Sequence, residues 1–237
     1  MSRGRPEGYD ETGVSPTGGG LTGRLRSLVF EGPAGSLEGL WKDADGGRRG
    51  SAVFAHPHPL HGGTMHNKVV YRAVQALTRG GWATLRFNFR GVGLSEGRYD
   101  AGRGEVDDFR AALDEAERES RLPIVAGGFS FGAAVALKAI AGDTRVTAAV
   151  ALGLPLASES GRLVPRPSVP AFYAVGGNDT YAPPEEVRRF AGPGAAFEVF
   201  PGADHFFEGS LDALGDAISR FLSSLPQNAD VNAGAAP

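Results

Sequence analysis

The residues Gly128-Phe129-Ser130-Phe131-Gly132 have the spacing G-x-S-x-G. The chemistry this spacing serves is nucleophilic. A serine on a sharp strand-to-helix turn has its hydroxyl lifted clear of the surrounding chain, and small residues two places away on either side let neighbouring backbone pass close. Glycine accounts for 36 of the 237 residues, so the motif alone carries little weight, and Gly93-Leu94-Ser95-Glu96-Gly97 repeats it. Context separates the two. The apolar run Ile124–Ala126 directly precedes the first motif, and helical spacing over Ala133–Ile140 directly follows it. Ser95 lies several residues past its strand, and the Gly-Arg-Tyr-Asp-Ala-Gly that follows starts no helix. Ser130 is therefore the candidate nucleophile; the competing structural reading is a helix N-cap, which serine also favours.

A serine hydroxyl is a poor nucleophile until a base takes its proton. Of five histidines, His56, His58, His61 and His66 crowd one window upstream, and only His205, in Gly202-Ala203-Asp204-His205-Phe206, follows Ser130. Where the serine sits on such a turn, acid and then histidine follow it along the chain, which selects His205 as base over a plain surface histidine. The acid should come from a strand end between the two. Asp179, just past the run Ala171–Val175, meets that condition; its carboxylate would fix the imidazole tautomer and stabilise the imidazolium. Asp204 is the rival, although a direct sequence neighbour seldom reaches its own imidazole at the needed angle. Asp143 and Glu159 follow no strand directly. Asp179 and Asp204 are also ordinary turn formers.

Attack on a carbonyl develops negative charge on its oxygen, which requires preorganised donors. One is expected from the backbone N–H of Phe131, at the start of the helix after the nucleophile. The second is expected after the run Ser51–Ala55, in His56-Pro57-His58-Pro59. The prolines carry no N–H and stiffen the residues before them, which leaves the His58 N–H. The same window, HPHPLHGGTMH, raises the question of a metal site. It contains no carboxylate, and its prolines restrict adjustment, so no metal is expected there. Phe89-Arg90-Gly91-Val92-Gly93 suggests a dinucleotide loop, but the next glycine, Gly97, stands one place too far and no helix begins there. A glycine-rich loop beside the active site fits better.

These residues must be positioned by a scaffold, and the hydrophobic pattern supplies one. Runs at Leu25–Phe30, Leu37–Trp41, Ser51–Ala55, Trp82–Phe87, Ile124–Ala126, Val146–Leu152, Ala171–Val175 and Ala196–Phe200 read as strands, the first two as an antiparallel pair. Helical spacing covers Lys68–Arg79, Glu105–Arg121, Ala133–Ile140, Pro184–Phe190 and Leu211–Leu222. Strands alternating with helices predict a mostly parallel sheet covered on both faces, an α/β fold. Ligands in such sheets bind at the carboxyl ends of the strands, which is where Ser130, Asp179, His205 and His58 fall.

Composition sets the outer bounds. With 41% hydrophobic and 22% charged residues, the chain is an ordinary globular one, long enough to bury a core. The absence of cysteine excludes disulfides, thiolate catalysis and cysteine-based zinc sites. A net charge of −3 argues against general affinity for nucleic acid or anionic membrane, and no apolar run approaches the roughly 18 residues of a span. The first twenty residues carry arginines but no apolar segment behind them, so no secretory signal is expected and a cytoplasmic location is. Residues 1–23 are expected to form a disordered arm, 24–225 one domain, and 226–237 a loose tail.

Together, HPHP followed by GGTMHNKVV, then FNFRGVGLSEG, GGFSFG, GGNDTYAPPEE and GADHFF, resemble the α/β-hydrolase superfamily, especially its small dienelactone-hydrolase-like serine hydrolases, over roughly residues 25–225. Dienelactone hydrolases proper use a cysteine nucleophile; here the position holds Ser130. The resemblance implies cofactor-free hydrolysis of a small-molecule ester or thioester through an acyl-enzyme. Many hydrolases of this fold insert a helical lid after the strand that follows the nucleophile helix. Residues 153–170, with Pro155, Pro165, Pro167 and Gly161, leave no room for two packed helices, so no large lid is expected. The alternative is a non-catalytic ligand-binding or interaction protein on the same fold.

Overall fold

Strands rich in β-branched and aromatic residues assemble into one eight-stranded sheet with the order β1-β2-β4-β3-β5-β6-β7-β8. A computed structural model describes residues 23–120 and 123–226. The expected disordered arm and tail, apart from Gly23 and Pro226, lie outside the described residues, as does the expected helix end at Arg121. Strands β1 (Leu25–Gly32) and β2 (Gly35–Lys42) form the antiparallel pair read from the sequence, in register from Leu25 opposite Lys42 to Gly32 opposite Gly35. The second strand also runs antiparallel to β4 (Trp82–Phe87). From there β3 (Gly50–Ala55), β5 (Ile124–Phe129), β6 (Val146–Leu152), β7 (Ala171–Gly176) and β8 (Ala196–Phe200) are all parallel. Every residue of β3, β4 and β5 is buried, the pattern of central strands covered on both faces.

The helices are α1 (Lys68–Arg79), α2 (Arg103–Glu119), α3 (Phe131–Ala139), α4 (Pro184–Ala191) and α5 (Leu211–Ser224). Alternation along β3 divides the core. Val53 and Ala55 pack with Phe109, Leu113 and Val135 beneath α2 and α3, and Val187 of α4 joins this cluster. Ala52 and Phe54 point the other way, into Val70, Val74, Leu77, Ile218 and Phe221 of α1 and α5. The sheet therefore lies between two helical layers, each burying one apolar stripe.

Several element ends differ from the sequence reading by one to three residues, and two of these differences have identifiable reasons. The fifth strand continues through Gly127 and Gly128 to Phe129. Glycines usually mark the end of a strand, but here a Cβ on Gly127 would lie 2.5 Å from the Val150 carbonyl oxygen, so the close approach of β6 requires a residue without a side chain at that position. Helix α2 starts at Arg103 because Glu105 reaches back to accept from the N–H groups of Asp100 (2.8 Å) and Gly102 (2.7 Å). Between β6 and β7, residues 153–170 contain turns and no helix. No described helix is long and apolar enough to cross a membrane.

Candidate active site

Ser130 stands between β5 and α3 with φ 54° and ψ −121°, a strained conformation for a residue with a side chain. Its surroundings hold it there. Its N–H donates to Leu152 O (2.8 Å) on β6, and its carbonyl accepts from Ala133 N (2.9 Å). The flanking glycines are a steric requirement. A Cβ on Gly128 would meet the carbonyl carbon of Gly132 at 2.4 Å, and a Cβ on Gly132 would meet His56 O at 2.4 Å. The turn thus keeps the serine half-buried, with its hydroxyl in reach of the other loops.

The loops after β7 and β8 bring the remaining polar groups to it. His205 Nε2 lies 2.8 Å from Ser130 Oγ, and His205 Nδ1 lies 2.8 Å from Asp179 Oδ2. Asp179 is 3% exposed, and its other oxygen accepts from the N–H groups of Tyr181 and Ala182, both at 2.9 Å. With a carboxylate oxygen accepting at Nδ1, that nitrogen carries the proton of the neutral imidazole and Nε2 is free to accept from the serine. Asp204, the rival acid, turns away: its Oδ1 accepts from Phe206 N (2.9 Å) and Glu208 N (3.0 Å), capping the turn that carries His205. Asp143 is paired with Arg145. Ser95 is buried, donating to Asn88 O (2.7 Å) and accepting from Glu38 N (2.9 Å).

The chain leaving β3 runs beside the serine turn, because Ala55 is in register with Gly128. The His58 and Phe131 rings are 5.0 Å apart, so the loop after β3 meets the start of α3 beside Ser130. Phe131 occupies the first turn of α3, where N–H groups have no intrahelical acceptor. The crowded histidines have separate employments. His56 is fully buried; its Nδ1 donates to Pro57 O (2.6 Å) and its Nε2 accepts from Phe89 N (3.1 Å), which ties the β3 loop to the β4 loop. Burial pushes its pKa down to about 4. His61 stacks on His58 at 4.4 Å, and His66 is exposed. Among the described residues, no group of three or more histidines and carboxylates is placed to hold a metal ion.

Several contributors were not legible in the motifs. Phe129, Tyr181 and Phe206 surround the His205 imidazole with ring centroids at 5.0, 5.0 and 5.5 Å. Each lies within two residues of Ser130, Asp179 or His205, which is the available sequence signal. The Arg90 loop is gripped by buried carboxylates of α2. Asp108 binds the Arg90 guanidinium (2.7 Å to Nη2) and also accepts from its N–H (3.0 Å), while Glu105 holds the loop's far end. No local spacing announces either contact.

The fold and this geometry agree with what the chain is similar to. A model of the family described as serine aminopeptidase, S33, matches residues 58–167. An α/β serine hydrolase homologue from Coxiella burnetii is 38% identical, with a TM-score of 0.77 over 82% of this chain and 96% of that one. XC6422 from Xanthomonas campestris, described as an α/β serine hydrolase without lid, is 28% identical, with a TM-score of 0.78 over 91% of this chain and all of that one. An uncharacterized protein of Rickettsia prowazekii, RP471, is 34% identical over 86% of this chain and 91% of its own length. The chain belongs to the α/β-hydrolase superfamily, among its serine hydrolases.

Proposed function

We propose that the protein hydrolyses small carboxylic esters or thioesters through an acyl-enzyme formed on Ser130. The observation that carries this reading is the continuous hydrogen-bonded chain from Ser130 Oγ through His205 to a buried Asp179. Ser130 Oγ attacks the substrate carbonyl carbon while His205 Nε2 takes its proton. The electron pair displaced onto the carbonyl oxygen is met by the N–H groups of His58 and Phe131. Asp179 keeps the imidazole oriented and stabilises it once protonated. Collapse of the adduct re-forms the carbonyl and expels the alcohol or thiol, which leaves with the proton from His205. Water then attacks the acyl-enzyme, giving its proton to His205, and the acid departs as Ser130 recovers its own. Protons and electron pairs balance among Ser130, His205, substrate and water, so the cycle calls on no cofactor.

The experiment is covalent labelling with a fluorophosphonate, followed by peptide mapping. The adduct is expected on Ser130 and should be absent from Ser130→Ala. Labelling elsewhere, or hydrolysis of p-nitrophenyl acetate that survives Ser130→Ala, would overturn the proposal.

A further inference from the structure

One wall of the site has a hydrogen-bonding arrangement that the triad does not use. His58 Nδ1 accepts from the N–H of Leu60 (3.2 Å), and His58 Nε2 lies 3.1 Å from the hydroxyl of Tyr99. A ring nitrogen that accepts from a backbone N–H bears no proton, so the neutral imidazole carries its proton on Nε2. His58 therefore donates to Tyr99, and the Tyr99 hydroxyl keeps its own proton to give. Burial and the neighbouring His61 hold the His58 imidazole below its ordinary pKa. Burial, with the carboxylates of Glu105 and Glu159, raises that of Tyr99. Both groups thus stay in the states this arrangement requires at neutral pH.

The hydroxyl is also held in place. Tyr99 is half-buried in the Arg90 loop, whose two ends are fixed by Asp108 and Glu105. Its ring packs against Phe131, 6.0 Å between centroids, and against His58 at 5.1 Å. These are the two residues whose N–H groups are assigned to the oxyanion. Tyr99 thus stands against the rings of His58 and Phe131, with its hydroxyl anchored by His58 Nε2.

We infer that the Tyr99 hydroxyl is a substrate-contact donor that favours acyl groups bearing an oxygen acceptor beside the ester carbonyl over hydrocarbon chains of the same shape. A fixed donor discriminates strongly, because an analogue without the acceptor leaves it desolvated and unpaired. The His58 side chain acts through Tyr99, as a positioning residue. The inference rests on the proposed hydrolysis at Ser130.

The test uses two isosteric esters, p-nitrophenyl methoxyacetate and p-nitrophenyl butyrate, and reads the ratio of their kcat/KM values in wild type and in Tyr99→Phe. Comparing ratios cancels the intrinsic reactivity of each ester and any general damage to the enzyme. The ratio is expected to fall about tenfold in Tyr99→Phe, the worth of one oriented hydrogen bond. His58→Gln, which keeps the backbone N–H but loses the aim of the hydroxyl, should lower it in the same direction. An unchanged ratio in both variants, or an equal loss on both esters, overturns the inference while leaving the hydrolase reading intact. A wild-type protein that cleaves neither ester and takes no fluorophosphonate overturns both.

Discussion

At the scale of single residues, the two serines in identical motifs have opposite employments. Ser130 has a strained backbone and a hydroxyl facing an imidazole, whereas Ser95 uses its hydroxyl to tie two backbone segments together. Ser130→Ala should lower kcat on the order of 10⁶-fold, as loss of the nucleophile does in such triads. Ser95→Ala should retain most hydrolysis but lose about 1–3 kcal/mol of stability, because Glu38 N–H and Asn88 C=O lose a buried partner. Steady-state rates and denaturant melts of both variants separate the two roles; equal kinetic losses would refute the assignment. His56 makes a different prediction. Its folded pKa of about 4 lies below the ordinary histidine value of 6.5, so between these values the unfolded chain binds more protons than the folded one. Stability from this group is therefore complete above pH 6.5 and is lost as pH falls toward 4, by roughly 3 kcal/mol in all. Melting curves from pH 4 to 8 should be steeper over this window for the wild type than for His56→Gln. Parallel curves would mean that His56 is not held neutral.

At the scale of elements, the site is a set of strand ends, and each loop is shaped to let the next one approach. Gly153, directly after β6, shows this. It has φ 54°, its N–H donates to Ala174 O (2.8 Å), and a Cβ there would stand 3.1 Å from His205 Cε1 and 3.1 Å from Phe129. Gly153→Ala would add left-handed strain of about 1–2 kcal/mol and press on the His205 imidazole. We expect kcat to fall about 10–100-fold, since small displacements of a reacting group are costly, with only a modest drop in Tm. Retention of kcat within twofold would show that the glycine serves the turn alone. Much of this arrangement is legible in the sequence. The strand and helix bounds of β4, β6, β8 and α1 follow from periodicity, and Ser130, Asp179 and His205 follow from strand-end position and chain order. What is not legible depends on contacts between distant segments. The closeness of Gly153 to His205, the hold of Asp108 on Arg90 and the meeting of Tyr99 with His58 each join residues from different loops or elements. Local patterns record a residue's own strand or helix, not the loop that will face it.

At the scale of the molecule, the parallel order β4-β3-β5-β6-β7-β8 gathers the loops after these strands on one edge of the sheet, the edge where such folds place ligands. The loop after β3 brings His58, that after β4 Tyr99, that after β5 Ser130, that after β7 Asp179 and that after β8 His205. The loop after β6 is where a helical cover would be inserted, and residues 153–170 contain none. This agrees with the description of XC6422, 28% identical, as lacking a lid. The aromatic residues beside His205 are themselves open to solvent, Tyr181 at 62% and Phe206 at 43%, and so do not enclose the space next to it. Burial stabilises a bound chain by about 0.8 kcal/mol per methylene, and only while each methylene finds apolar surface. Without a cover over the site, that surface runs out early. We therefore expect kcat/KM for p-nitrophenyl esters to stop increasing beyond about four to six acyl carbons, because further methylenes remain in water in both the free and bound states. A series from acetate to palmitate checks this. Efficiency that continues to climb to twelve or sixteen carbons would require an acyl channel extending beyond the aromatic border, and with it a site deeper than the strand ends alone provide.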